Sequence, residues 1–142
     1  YGLSLAEIGT LKRGEDVVRN TGVISNSEAA YLPYVPRSYA YCSDTAPFPE
    51  LAQWVKGVDL LYHESTFPVS MSDMAAATFH STTLQAAECA REAGAARLVV
   101  GHYSSRFSNV VPFLDEIRQV FDNAVLAKEG DVLEIPLVRT GR

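Results

Sequence analysis

Cysteine is scarce in this chain: Cys42 and Cys89 are the only two in 142 residues, and they form no C-x-x-C pair. That excludes a disulfide framework and reads both as small buried apolar side chains. Long hydrophobic runs are absent too. No apolar stretch reaches the roughly 18 residues that crossing a bilayer requires. Tyr1-Gly2-Leu3-Ser4 has neither the basic n-region nor the apolar h-region of a secretion signal, so a cytoplasmic protein away from membranes is expected. Positive charge is not in excess. The formal net charge of −5 argues against general coating of nucleic acid, which needs a broad basic face. It leaves room for a local phosphate site built on a metal ion, which becomes the largest charge there. An initiator methionine is missing as well, and a start at Tyr1-Gly2 suggests a piece cut from something longer.

What is present is enough apolar residue, 47% of the chain, to bury one real core. The pattern divides near residue 40. Residues 1 to 39 read as irregular, with a basic turn at Lys12-Arg13-Gly14 and an extended Pro/Tyr connection from Tyr31 to Arg37. From Ser38 onward short apolar strands alternate with helices. Strands are expected at residues 39–42, 58–62, 97–101, 124–127 and 132–137, the last two flanking a Glu129-Gly130-Asp131 turn. Helices are expected over 49–56, over a segment capped by Ser81 or Thr82 and closed by Gly94, and over 111–121. Alternation of this kind predicts an α/β layer with helices against a sheet.

The informative regularity is where the polar residues fall. Asp44, His63 and His102 each follow a predicted strand, and the third histidine, His80, opens His-Ser-Thr. Site residues of α/β sheets gather at the carboxyl ends of strands. Asp44 and His102 are therefore candidate ligands for zinc or manganese, although two ligands hold a metal poorly. Taken singly, Asp44 is as well explained by a turn or cap, and His102 by a hydrogen-bonded histidine at a strand end. His63-Glu64 and His80 look like a proton-handling set, in which a glutamate orients an imidazole that acts as general acid. Alternatively, His63 is a supporting structural residue and Glu64 forms an ion pair with Arg97 or Arg106. Ser104, Ser105 and Arg106 suit contacts to a phosphate oxyanion, or form a polar loop in solvent.

From about Ser38 to Leu137 the chain resembles the C-terminal part of ribonuclease Z, the zinc-dependent tRNA 3′-processing endoribonuclease of the metallo-β-lactamase superfamily. The resemblance is carried by Tyr41-Cys42-Ser43-Asp44-Thr45, by Asp59 to Phe67 with its His63-Glu64-Ser65-Thr66, by His80-Ser81-Thr82-Thr83-Leu84-Gln85-Ala86-Ala87, and by Gly101-His102-Tyr103-Ser104-Ser105-Arg106-Phe107. It implies an α/β fold, the C-terminal half of an αββα sandwich, over residues 38–142. Residues 1–37 resemble the family more loosely, as an irregular connecting segment following the region of the tRNA-gripping arm. It implies Asp44 as the carboxylate bridging two zinc ions, His102 as a terminal ligand, and Glu64 with His80 as the catalytic charge-relay pair. Precursor tRNA would be the substrate. Ser65 stands where the family has Ala.

The chief departure is an absence. No His-x-His occurs anywhere in the chain, whereas the family's main zinc motif is an upstream His-x-His-x-Asp-His. The segment alone is thus expected to be inactive and to hold Zn2+ weakly or not at all. Half a sandwich leaves an apolar sheet face uncovered, which favours a homo-oligomer. The competing readings are another metallo-β-lactamase-like phosphodiesterase and a non-catalytic interaction domain.

Overall fold

A computed structural model describes residues 1–29 and 34–139, which divide into two compact units: a smaller one of residues 1–29, 34–35 and 137–139, and a larger one of Pro36–Pro136. The larger unit holds a four-stranded sheet in the order β3-β4-β5-β6, from Tyr39–Cys42, Leu60–Glu64, Leu98–Gly101 and Ala124–Leu126. Every neighbouring pair runs parallel, with Cys42 opposite His63 and Glu64 opposite Gly101.

The strands add in chain order, so each crossover steps the same way across the sheet. Right-handed crossovers of this kind carry connecting helices to one face, and three of them pack there. On that face a core forms from Leu61, Leu98 and Val100 of the strands with Leu51, Ala86, Ala90 and Ile117 of the helices. The helices are α3 (Leu51–Trp54), α5 (Thr83–Ala93) and α6 (Val111–Arg118). Helix α5 shows why the sequence folds as it does. Thr82 and Gln85 form a reciprocal capping box; Ala86, Ala90 and Ala93 lie one helical turn apart and are buried; Gly94 ends the helix at φ 63°. Small alanines let the helix sit close to the sheet.

The opposite face carries Tyr39, Tyr41 and Tyr62, with the Tyr41 and Tyr62 rings stacked at 4.5 Å. Part of it is lined by Leu133 and Ile135, which share a cleft of about 300 Å³ with Tyr39, Leu60 and Tyr62. Residues 132–137 were expected as a strand, and they form none. The turn before them does form, with the Asp131 amide donating to the Lys128 carbonyl. The chain leaving it lies along the sheet's face instead of its edge, so its alternating apolar residues meet side chains and no backbone ladder.

The smaller unit departs from the sequence expectation of irregularity. It contains α1 (Leu5–Lys12), a hairpin of β1 (Val17–Arg19) and β2 (Gly22–Ile24), and the short α2 (Asn26–Ala29). Ser4 and Glu7 cap α1 reciprocally, and Arg19 reaches Glu7 at 2.7 Å. The local signals, Ser-x-x-Glu and a turn before Gly22, outweigh the lack of a long periodic pattern. Of the expected extended connection Tyr31–Arg37, residues 31–33 lie outside the described residues. Between β4 and α5 the chain adds a 3₁₀ turn (Val69–Met71) and α4 (Ser72–Ala77), neither anticipated from the sequence.

Gly101 faces the Tyr62 ring so closely that a Cβ there would overlap the phenol. Gly101→Ala is therefore expected to destabilise the fold by about 1–3 kcal/mol through overpacking. Urea unfolding checks this, and an unchanged midpoint would show that Tyr62 moves aside freely.

Candidate metal centre

Parallel strands end on the same edge, and that edge gathers the polar residues. Asp44 lies two residues beyond β3, Glu64 is the last residue of β4, and His102 immediately follows β5. His80 arrives from the loop before α5. Its amide donates to the Ala75 carbonyl, and Thr82 begins the cap of α5 two residues later. Asp44, His80 and His102 offer ligand atoms that all lie within 4.8 Å of one another. His102 Nε2 is 3.0 Å from Asp44 Oδ1, and the His80 and His102 rings stand 5.3 Å apart.

Backbone geometry marks the same places. Among the described residues, three non-glycine residues have positive φ: Asp44 at 50°, Phe79 at 61° and His102 at 60°. Two belong to the cluster and the third precedes His80. Such left-handed conformations are costly for residues with a Cβ and concentrate at functional sites. No feature of the one-dimensional pattern foretold them.

Beneath the cluster lies Glu64, fully buried. Its Oε1 accepts from the Thr45 amide at 2.7 Å and from His80 Nδ1 at 2.9 Å. Its Oε2 accepts from the Thr66 hydroxyl at 2.5 Å and from the Ser81 amide at 3.1 Å. Burial pushes the carboxyl's pKa upward, yet the hydrogen bonds from Thr66, His80, Ser81 and Thr45 outweigh it, and the net shift is downward. Glu64 is thus held as a carboxylate. It is bonded to His80 and not paired with Arg97 or Arg106, two partners that sequence alone left open.

His63 is not brought to this cluster. Neighbouring residues of a strand point to opposite faces, so His63 turns away from Glu64. Its Nδ1 donates to the Glu64 carbonyl at 2.7 Å, and its ring lines a cleft of about 290 Å³ with Pro47, Phe48, Leu51 and Cys89. Burial pushes its pKa down, which favours the neutral imidazole. Ser104 supports the site through its backbone, its amide donating to the Thr66 carbonyl at 3.1 Å. Ser105 and Arg106 are exposed. Among the described residues neither side chain hydrogen-bonds to Asp44, His80 or His102. Thr45 and Thr66 were given no role from the sequence and Ser81 only that of a possible helix cap, which Thr82 fills instead; all three donate to Glu64. Their signal was present, since each sits inside or beside one of the quoted motifs. Ser65 Oγ is buried without a hydrogen-bond partner among the described residues, which fits a position where alanine would serve.

The depressed pKa of Glu64 fixes a pH dependence. A carboxyl lowered in the folded state stabilises the fold fully above its unfolded pKa of about 4.3 and loses that contribution as pH falls through the folded value. Glu64→Gln is therefore expected to lower stability near neutrality and to flatten its acid decline below about pH 4.3. Chemical unfolding between pH 3 and 7 checks this; parallel curves for the two proteins would contradict it.

Comparison with known proteins agrees with this geometry. Residues 31–103 match the family model of the beta-lactamase superfamily domain. A ribonuclease Z of Cytophaga hutchinsonii is 46% identical over 90% of this chain, and one of Parabacteroides distasonis is 42% identical over 95%. The chain spans only 42% and 45% of those two proteins' lengths. Among solved structures, the metallo-beta-lactamase fold protein YhfI of Bacillus subtilis superposes with a TM-score of 0.64 at 27% identity, covering 69% of this chain and 40% of its own. The short form of human tRNase Z gives 0.54 at 26% identity, covering 80% of this chain and 37% of its own. The parallel strands, the edge on which Asp44, His80 and His102 converge, and the match over residues 31–103 lead to one conclusion: the chain belongs to the beta-lactamase superfamily.

Proposed function

We propose that this chain is the C-terminal part of a zinc-dependent cytoplasmic endoribonuclease that removes 3′ trailers from precursor tRNA by phosphodiester hydrolysis. The observation that carries this reading is the bond between buried Glu64 and His80, directly beside the Asp44–His102 contact. Relatives named ribonuclease Z, matching nearly the whole chain at 42–46% identity, support it.

In this reading Asp44 and His102 would hold zinc, together with ligands from the upstream half. The donor set fits: the Asp44 carboxylate and the His102 imidazole, 3.0 Å apart, are groups that zinc accepts. Zinc, when bound, supplies Lewis acidity toward phosphate oxygens and activates water. The rest of the chemistry belongs to side chains of this chain. Glu64 holds His80 by its Nδ1 hydrogen, which leaves Nε2 as the working nitrogen. As the oxygen of a water that gives up one proton to bulk solvent bonds to phosphorus and the P–O3′ bond breaks, a proton on that Nε2 passes to the departing 3′ oxygen. The Glu64 charge stabilises the imidazolium that gives the proton up. Ser104, Ser105 and Arg106 flank His102 and are assigned to the phosphate oxygens.

The chain spans less than half of those relatives, and it contains no His-x-His. We therefore assign the remaining zinc ligands to the upstream half, and the segment by itself is inactive. With a 3′-extended tRNA precursor and zinc, this chain should cleave only when mixed with the upstream half. Asp44→Ala should abolish that cleavage, and His80→Ala should slow it by roughly 10²–10⁴-fold. Cleavage by the chain alone would contradict the need for upstream ligands. Cleavage of a small phosphodiester but not the precursor would favour a different superfamily phosphodiesterase. No cleavage by two folded halves would favour an interaction domain.

Tyr39 and Tyr41 are 55% and 64% exposed on the sheet face opposite the helices. An aromatic surface of that kind drives association, so the isolated chain should form a homo-oligomer. Sedimentation that stays monomeric over a wide concentration range would contradict this.

A further inference from the structure

One hydroxyl joins the two halves of the site, and the mechanism above gives it no part. Thr66 Oγ1 lies 2.5 Å from Glu64 Oε2, 2.9 Å from His102 Nδ1 and 3.0 Å from the His102 carbonyl oxygen. We propose that Thr66 is a positioning residue that ties His102 to the Glu64 carboxylate and so aims His102 Nε2 at the metal site. The inference rests on the reading of His102 as a metal ligand.

A hydroxyl has one hydrogen and two lone pairs. Of the neighbours, the carboxylate oxygen is charged and nearest, and charge-assisted bonds of this kind are the short, strong ones. The Thr66 hydrogen therefore goes to Glu64. Only lone pairs remain on Oγ1 toward His102 Nδ1, so that nitrogen carries a hydrogen and donates. The nitrogen left over is Nε2, 3.0 Å from Asp44 Oδ1. His80 follows the same rule in one step, its Nδ1 donating directly to Glu64 Oε1. One buried carboxylate thus orients both imidazoles, His80 directly and His102 through a hydroxyl. A ligand imidazole held by its second nitrogen has its tautomer and ring plane fixed.

Burial and backbone support the assignment. Thr66 is 5% exposed, which leaves little room for water to stand in for its hydroxyl. The backbone around it is pinned: the Ser65 amide donates to the Gly101 carbonyl at 2.9 Å and the Ser104 amide to the Thr66 carbonyl at 3.1 Å. These bonds fix the ends of β4 and β5 against each other, whatever side chain stands at 66. The hydroxyl can therefore be removed without removing the bonds that close the edge.

Histidine-labelled nitrogen NMR of this chain, which has three histidines, tests the proposal. In the wild type, His102 Nδ1 should bear a slowly exchanging hydrogen. Thr66→Val should lose that slow exchange while the His80 Nδ1 hydrogen and the amide spectrum persist, and Thr66→Ser should restore it. A His102 Nδ1 that bears no hydrogen in the wild type would overturn the proposal even if Thr66→Val does not fold. An unchanged His102 signal in Thr66→Val would overturn it as well. In a full-length chain carrying this segment, Thr66→Val should lower kcat by roughly 10–100-fold with KM unchanged, and Thr66→Ser should recover it. A fall confined to KM would overturn the positioning role. Failure of the unmodified full-length chain to cut precursor tRNA would instead sink the ribonuclease reading, with the Thr66 bond still judged by NMR.

Discussion

A single buried carboxylate organises this molecule's polar edge. Glu64 is withdrawn from solvent, and an ionised group there is tolerable only when its lone pairs are filled. The donors come from separate stretches of chain: Thr45 after β3, Thr66 after β4, and His80 and Ser81 before α5. Satisfying Glu64 therefore requires three loops to be in place at once. The need to fill one carboxylate doubles as the device that assembles the site. Losing a partner leaves a buried charge unpaired, which is far more costly than the net worth of any one bond.

The sheet supplies the second constraint. All neighbouring strands are parallel, so the residues leaving their carboxyl ends must emerge on one side. Asp44 and His102 emerge there in left-handed conformations, which turn the chain sharply as it leaves each strand. The rigid part of the fold sets where the side chains start, and the strained residue at each end redirects the chain. Helices packed on one face complete the core and leave the tyrosine face to other contacts.

Much of this was legible in the sequence because the strands and the motifs coincide. Tyr39–Cys42 was read with the bounds the structure gives, and Leu98–Gly101 to within one residue. The cap at Thr82 and the stop at Gly94 are local chemistry that needs no tertiary context. What escaped was of three kinds. The smaller unit's α1 and hairpin are short, and short elements carry little periodic signal. Residues 132–137 alternate like a strand, yet alternation cannot say whether a segment joins an edge or lies across a face. The site itself was read as two separate pairs, Asp44 with His102 and Glu64 with His80. Thr66, a common residue on a turn, gave no reason to expect that its hydroxyl would join them. His63 sat in the same motif as Glu64, but strand alternation sent it to the other face.

The central claim is that Glu64 acts on the reacting groups through the imidazoles it orients, His80 directly and His102 by way of Thr66. A double-mutant cycle on precursor cleavage in a full-length chain tests it most directly, with Glu64→Gln, His80→Ala and the pair combined. Strong non-additivity is predicted, the double variant being slower than His80→Ala alone by no more than the roughly 10–100-fold that Thr66→Val costs. Additive losses, each substitution slowing the reaction by the same factor whether or not the other is present, would contradict it.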